Sequence, residues 1–347
     1  MNPGLALQSR QSWGLRGATR AIRMSRWVEG EIGAETRGVV VGLQRRACHL
    51  ALDSGSLVIL STPDVALAPN GVTLALQPRV TLGEAGVRVC QTMVLGTGVS
   101  ARGRPPGRPD GRPADWLVEL AGASTWEPRP RVEPIAPGAL RDRLALTRAL
   151  VMAEGAAESL RPVLQATAVA TDGLQAAMIR MARGPVRHLI AAASGGDGEA
   201  VAGVAARLAG LGLGLTPSGD DLLAGFAAAW ILVGEARGLD AAARQRVARA
   251  LYAGAQASAS RLGRVWLEHA LRGELPEPMT RFVAVLLAAE PCGLEPAVRG
   301  MLAVGASSGT DWAVGFVLGA AAAARTAAGA GSRSRGAVIP HDAAGSR

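Results

Sequence analysis

Residues 210–234 constrain the fold of this chain more than any other stretch. They read Gly-Leu-Gly-Leu-Gly-Leu-Thr-Pro-Ser-Gly-Asp-Asp and continue as Leu-Leu-Ala-Gly-Phe-Ala-Ala-Ala-Trp-Ile-Leu-Val-Gly. A flexible glycine run therefore enters a polar turn, two adjacent carboxylates follow, and an apolar helix begins. Because burying a carboxylate is costly, paired aspartates at the start of a buried helix need a structural or chemical explanation.

The same pattern returns around Ser308. Residues 218–226 read Ser-Gly-Asp-Asp-Leu-Leu-Ala-Gly-Phe, and residues 308–316 read Ser-Gly-Thr-Asp-Trp-Ala-Val-Gly-Phe. Both fit Ser-Gly-x-Asp-x-x-x-Gly-Phe without a change of spacing. Gly225 and Gly315 lie inside apolar helices, where a glycine costs about 1 kcal/mol relative to alanine. We therefore expect two helices that meet closely, around a pseudo-twofold axis.

Two interpretations of these turns are open. A serine with an acid three residues later, just before an apolar run, is a capping box, and both Ser218 with Asp221 and Ser308 with Asp311 fit it. Capping leaves Asp220 without a role. Free backbone N–H groups at a helix start also attract anions. The second interpretation is therefore a small-molecule site in a cleft shared by the two turns.

The ligand of such a site must suit both carboxylates and N–H donors. Three aspartates would repel a bare phosphate, so the ligand brings either a cation, for which Mg²⁺ is one option, or N–H donors of its own. A small molecule with an anionic end and an amide or ureido group meets the second condition. We assign no metal ligands and no firm cofactor.

The residues predicted to act in catalysis are the three carboxylates Asp220, Asp221 and Asp311. The residues predicted to bind substrate surround them in the sequence or carry a suitable charge: Gly214, Thr216, Ser218, Gly219, Ser308, Gly309, Thr310 and Arg261. His269 is the best acid–base candidate among the histidines, although a surface histidine is the simpler interpretation.

The remaining pattern predicts two domains. Six short β-prone runs separated by turn residues favour a small barrel or sandwich; they are residues 39–43, 48–52, 57–60, 72–76, 87–95 and 116–120. After Gly138 the chain is alanine-rich with helical periodicity, and one long helix is predicted over residues 241–269. The fold class is therefore α+β, a β-rich barrel or sandwich followed by an all-α helical domain.

The predicted divisions follow from composition. They are a disordered basic terminus at 1–26, a β-rich domain at 27–126 with a disordered insert at 100–114, a proline-rich linker at 127–138, a helical domain carrying the ligand site at 139–329, and a disordered tail at 330–347. The 49% hydrophobic content is ample for the cores of both domains.

The net charge of +9 does not indicate a nucleic-acid-binding protein. Thirteen of the 37 basic residues, all of them Arg, lie in residues 1–26, 100–114 and 325–347, which hold only two acidic residues. The rest of the chain is nearly balanced in charge. The basic excess therefore lies in these three segments, which are either solvated or make loose, nonspecific contact with RNA or lipid.

Three widely spaced cysteines fit a reducing cytoplasm. The longest apolar runs, of about 13 residues, are shorter than a membrane span.

One family resemblance rests on these motifs. The run Gly-Leu-Thr-Pro-Ser-Gly-Asp-Asp at 214–221 resembles the signature of a bacterial family long known only as a domain of unknown function. That family includes the AllH-type subunit associated with oxamate carbamoyltransferase in allantoin breakdown. Residues 305–312 are similar to its second turn and residues 257–274 to its intervening helix. The resemblance covers residues 39–324, weakly in the strands and strongly at 214–225.

The resemblance implies a β-rich first part, a helical second part and partner subunits. It also implies a role in moving a carbamoyl group between oxalurate, a ureido acid, and phosphate. Backbone N–H groups at 218–221 and 308–311 would then hold the anionic part, and Asp220 and Asp221 would orient the amide. The alternatives are a noncatalytic ligand-binding or scaffolding subunit and nucleic-acid binding through the Arg-rich tails.

Overall fold

A computed structural model of the chain describes residues 18–77, 79–97, 116–165 and 173–335, with side chains as far as residue 328. The chain divides into two compact units between Pro128 and Arg129. Strands occupy the first unit and helices the second, which confirms the predicted α+β class.

The first unit is built from strands and one short helix. The elements are β1 (Ala18–Ser25), α1 (Arg26–Glu31), β2 (Thr36–Leu43), β3 (Ala47–Leu52), β4 (Leu57–Ser61), β5 (Gly71–Leu74), β6 (Thr92–Gly96), β7 (Trp116–Glu119) and β8 (Ser124–Trp126). Each of the six β-prone runs of the sequence overlaps one of the strands β2 to β7.

The described strands close into a barrel. Seven of them follow the order β5-β4-β3-β2-β6-β7-β1, and β1 pairs back onto β5. The parallel β1–β7 pairing uses the first half of β1, and β8 pairs with its second half. Side chains alternate along β3, where Cys48, Leu50 and Leu52 point inward. Closure places such residues in one core and leaves no long free edge among the described strands.

The prediction that residues 1–26 add nothing to the fold is wrong for β1. Thr19, Ala21 and Met24 of this strand are buried, while Arg20 and Ile22 face outward. The arginines make this stretch read as a disordered basic segment in the sequence. The outward face of a sheet accepts charged side chains, so they are compatible with a strand. The predicted insert at 100–114, residues 1–17 and residues 336–347 lie outside the described residues, and with them the Arg-rich segments of the nucleic-acid alternative.

The second unit is helical throughout its described residues. Its elements are α2 (Pro137–Glu154), a 3₁₀ turn (Arg161–Leu164), α3 (Leu174–Gly195), α4 (Gly198–Leu208), α5 (Ser218–Ala236), α6 (Ala241–Ala255), α7 (Arg261–Leu271), α8 (Glu277–Leu287), α9 (Leu294–Leu302) and α10 (Ser308–Arg335). The helix α10 thus extends into the predicted tail at 330–347. No described helix is long and apolar enough to cross a membrane.

The single helix predicted over residues 241–269 is wrong, because α6 and α7 are separate. Ser260 caps α7, and its Oγ accepts a hydrogen bond from the backbone N–H of Gly263 at 2.9 Å. A serine side chain that binds backbone in this way competes with helix continuation. Apolar residues recur with helical spacing on both sides of the break, and for this reason the sequence predicted one continuous helix.

The helix α5 forms the centre of this unit, and α10 crosses it at close range. Residues 218–234 of α5 are all buried. A Cβ on Gly225 would lie 2.0 Å from the carbonyl oxygen of Trp312, and one on Gly315 would lie 1.9 Å from that of Leu222. Equivalent residues of the two sequence repeats therefore contact each other reciprocally. The predicted close meeting of the two glycine helices is confirmed.

Candidate functional site

The two Ser-Gly-x-Asp segments come together at the start of α5 and α10. We call residues 216–221 and 307–311 the twin turn. The hydroxyl oxygens of Thr216 and Ser308 lie 3.1 Å apart. Asp221 accepts a hydrogen bond from the hydroxyl of Ser308, and the hydroxyl of Thr216 also lies beside this carboxyl group. Asp311 accepts from Ser218, so each aspartate binds the serine of the opposite turn.

This exchange replaces the capping boxes that the spacing predicts. Pro217 is the N-cap residue of α5, without a side-chain cap bond. The backbone N–H of Asp221 donates to the carbonyl of Pro217 (3.2 Å), and that of Asp311 donates to the carbonyl of Ser307 (2.9 Å). Because the cap position lies one residue earlier than expected, the serine hydroxyls are released to bind across the turn.

The expected free backbone donors of the twin turn are mostly used within the protein. The N–H of Gly219 donates to the carbonyl of Leu211 (2.8 Å), and that of Asp220 donates to Pro217 (2.8 Å). In the second turn, the N–H of Gly309 donates to Val304 (2.9 Å). An N–H already bonded to a carbonyl offers little to an anion, so these groups are poor donors to a ligand in this structure, and the anion-binding role of the two turns stays a prediction.

Asp220 is held by two backbone donors. Its side chain is buried; Oδ1 accepts from the N–H of Gly210 (2.7 Å) and Oδ2 from the N–H of Ser260 (2.9 Å). A Cβ on Gly263 would lie 2.2 Å from Oδ2, so α7 approaches the carboxylate as closely as a glycine allows. Asp220 thus joins the glycine run to the start of α7, which is a structural role; its predicted catalytic role stays a prediction.

Asp221 and Asp311 have a different environment. Asp221 is 2% exposed and Asp311 is fully buried, and Oδ2 of each has no hydrogen-bond partner among the described residues. Burial raises the pKa of Asp221 well above its usual value, and the nearby carboxylates of Asp311 and Asp220 raise it further. Burial also raises the pKa of Asp311 to about 6, against the hydrogen bond that the Leu160 N–H donates at 2.6 Å.

Each of these two carboxyl groups therefore has one buried oxygen without a hydrogen-bond partner among the described residues. A buried polar oxygen without a partner costs about 1–3 kcal/mol, so each Oδ2 favours a proton, a cation or an N–H donor from a ligand. Within the described part of the chain, no three His, Cys, Asp or Glu side chains converge as a metal-binding group. The arrangement suits proton transfer and the binding of an amide or ureido N–H.

Comparison with known proteins identifies this region. Residues 208–320 match the model of the family described as oxamate carbamoyltransferase subunit AllH. The likeness to this family is confined to that segment. No curated protein and no solved structure matches the chain significantly. The matched segment begins before α5 and ends within α10, so it contains both halves of the twin turn.

The other predicted binding residues belong to the turns themselves, to the glycine run or to the start of α7. Thr310 is buried, and its Oγ1 accepts from the N–H of Ala156 at 2.9 Å. Gly214 is exposed with φ +101°, a conformation that favours glycine. Arg261 is exposed at the first position of α7, directly after Ser260. The predicted roles of these three residues stay predictions.

Two features around the twin turn and α7 were not expected from sequence. The segment after α2 supplies the N–H groups of Ala156 and Leu160 to the second turn, and backbone donors of this kind carry no residue signal. His269 is 2% exposed, and its Nδ1 lies 2.6 Å from Oε2 of Glu274. The surface interpretation of His269 is therefore wrong; burial lowers its pKa, against the raising effect of Glu274.

Proposed function

We propose that this chain is a subunit of an oxamate carbamoyltransferase and acts with partner subunits in the cytoplasm during allantoin breakdown. Its reaction would move a carbamoyl group between a ureido acid such as oxalurate and phosphate. The observation that carries this proposal is the AllH-family match over residues 208–320, which contains both halves of the twin turn.

The chemistry of the twin turn supports a role near the ureido group. When a phosphate oxygen attacks the carbamoyl carbon of oxalurate, the bond from that carbon to the oxamate nitrogen breaks and the nitrogen takes up a proton. A carboxyl group with a pKa near 6, such as that of Asp311, can supply and recover this proton near neutral pH. The unpartnered Oδ2 of Asp221 can accept a ureido N–H. Thr216 and Ser308 would orient the group.

A noncatalytic scaffolding subunit is the second candidate, and one observation favours it. Asp221 is 2% exposed and Asp311 is 0% exposed. The hydrogen-bonded hydroxyl groups of Thr216 and Ser308 lie beside them. A substrate reaches these carboxyls only if the two turns separate. The buried polar contacts would then serve only to hold α5 and α10 together. In that case a partner subunit supplies the catalytic residues.

The test is an assay of the assembled complex. The chain is purified with its partner subunits, and carbamoyl phosphate formed from oxalurate and phosphate is measured. Asp221→Asn and Asp311→Asn should each lower kcat by about 100-fold or more, the usual loss for a general acid–base group. Asp240→Asn is the control, because Asp240 caps α6 by accepting from the N–H of Ala243 (2.9 Å) and asparagine caps equally well.

The outcomes separate the candidates. Full activity of both aspartate variants in a complex that still requires the chain supports the scaffolding subunit. A complex that forms no carbamoyl phosphate, with the wild-type chain present and correctly assembled, contradicts the carbamoyltransferase proposal itself.

A further inference from the structure

A second concave site lies away from the twin turn, beside the C-terminal half of α5. It is a cleft of about 500 Å³ between α5, α6 and α7, and its lining residues include Arg129, Arg244, Arg249 and Arg272. We call it the basic cleft. Its volume lies within the range typical of small-molecule sites. Ile231 lines it, and at 1.5 Å per residue about 15 Å of helix separates Ile231 from Asp221.

Three of the four arginines are held in place by acids. The carboxylate of Glu235 lies 2.6 Å from Arg129 and 3.2 Å from Arg244. Arg129 also donates to the backbone carbonyl of Arg272, at the end of α7. Arg272 in turn lies 3.1 Å from Glu274. These contacts fix the walls of the cleft before any ligand arrives, which reduces the entropy that binding costs.

Arg249 differs from the other three. Its side chain is exposed, and it makes no hydrogen bond or ion pair within the described part of the chain. The acid Glu268 also lines the cleft, and its Oε1 accepts a hydrogen bond from the hydroxyl of Tyr252 at 2.6 Å. The four arginines exceed the acids Glu235, Glu268 and Glu274 by one positive charge, and Arg249 is the one of the four that makes no contact with an acid among the described residues.

The floor of the cleft is apolar. Ile231 of α5, Ala248 of α6 and Leu271 of α7 form it. A free guanidinium offers paired N–H donors that match a carboxylate or a phosphate. We propose that the basic cleft binds a small anion with one phosphate or carboxylate group and an apolar body, with Arg249 as its main charged contact. This site does not depend on the proposed carbamoyl transfer.

The chain offers a matched control for Arg249. Arg246 lies on the same helix and is also exposed, but it does not line the cleft. At 100° per residue, the side chains of Arg244, Ala248 and Tyr252 share one face of α6, and Arg246 points away from it. Replacing either arginine by glutamine removes the same charge from the protein, so only a local contact distinguishes the two variants.

The experiment measures the affinity of the full-length protein by titration calorimetry. The probes are phenyl phosphate, inorganic phosphate and neutral benzamide. Phenyl phosphate should bind more tightly than inorganic phosphate, because only the former also fills the apolar floor, and benzamide should not bind. Arg249→Gln should weaken phenyl phosphate by about tenfold or more, the usual effect of a lost charge-assisted hydrogen bond. Arg246→Gln and Asp221→Asn should leave the affinity unchanged.

Three results would overturn the proposal. They are an absence of phenyl phosphate binding to the wild-type protein, an equal loss of affinity in Arg249→Gln and Arg246→Gln, and a loss confined to Asp221→Asn. The last result would place the anion at the twin turn. Circular dichroism of each variant confirms that it is folded.

Discussion

Asp220 and Asp221 are neighbours in the sequence with different surroundings in the fold. Successive residues of a helix point about 100° apart, so Asp220 faces the start of α7 while Asp221 faces α10. Asp220 has both oxygens bound by backbone N–H groups, and Asp221 keeps one oxygen without a partner among the described residues. Asp220 therefore connects the glycine run to α7, whereas Asp221 has an oxygen that can accept a hydrogen bond from a ligand.

Replacement of Asp220 by asparagine should lower the stability of the protein. One carboxylate oxygen becomes an NH₂ group that faces a backbone N–H, either of Gly210 or of Ser260. A lost bond with a buried unsatisfied donor costs about 1–3 kcal/mol, and we expect a fall of about 2 kcal/mol in the free energy of unfolding. Urea denaturation measures it. Asp240→Asn, at an exposed cap, should change stability by less than about 0.5 kcal/mol. Equal effects would contradict the structural role.

The raised pKa of Asp311 predicts a pH dependence of stability. Its pKa is raised from 3.8 to about 6, so between about pH 4 and pH 6 the folded protein holds a proton that the unfolded chain has lost. The free energy of unfolding therefore falls as the pH rises through this window, by about 3 kcal/mol for this group.

Asp311→Asn isolates this contribution. The asparagine oxygen can still accept from the Leu160 N–H, and its amide can donate to the hydroxyl of Ser218. Urea denaturation from pH 4 to pH 7 should show a smaller loss of stability with rising pH in the variant than in the wild-type protein. Parallel curves for the two proteins would show that Asp311 is not the titrating group.

At the scale of elements, the contact between α5 and α10 requires glycine. A Cβ on Gly225 would lie 2.0 Å from the backbone oxygen of Trp312, and backbone cannot move aside as a flexible side chain can. Gly225→Ala should therefore destabilise the protein by about 1–3 kcal/mol or more. The change is measured as the midpoint of chemical denaturation.

The helix α4 contains the matched control. Gly203 is exposed, and a Cβ there would meet nothing within 4 Å. Gly203→Ala should raise stability by up to about 1 kcal/mol through helix propensity. A stabilising effect of Gly225→Ala as well would contradict the close approach of α5 and α10.

At the scale of the whole molecule, each unit has its own hydrophobic core. The cluster of the first unit draws on its strands and α1, and the cluster of the second draws on its helices. In the first unit β1 has an exceptional position, because it pairs with β5, β7 and β8. It therefore completes the barrel.

Deletion of residues 1–25 should open this barrel. Without β1, the strands β5 and β7 lose a backbone partner and the core loses Ala21 and Met24. Hydrogen exchange should become fast throughout β4 and β5, while amides of α5 stay protected by their separate core. A deletion of residues 1–17, which keeps β1 intact, is the control. Unchanged protection of β4 and β5 after the longer deletion would show that β1 is dispensable.

The sequence by itself determined the local features of this protein. Short β-prone runs between turn residues predicted six strands of a barrel or sandwich, helical periodicity predicted the second unit, and the repeated Gly225 and Gly315 predicted a close helix crossing. These signals are local, because strand and helix periods and the absence of a Cβ are properties of a few consecutive residues. The repeated motif also predicted that the two polar turns share one cleft, but not which serine pairs with which aspartate.

Only the tertiary structure decided how those residues are used. The exchange of serine and aspartate partners across the twin turn, the two backbone donors on Asp220 and the burial of His269 depend on groups distant in the sequence. The basic cleft likewise assembles arginines from α6, from the end of α7 and from Arg129. Hydrogen bonds and burial depend on the three-dimensional placement of whole helices, and no short sequence pattern encodes that placement.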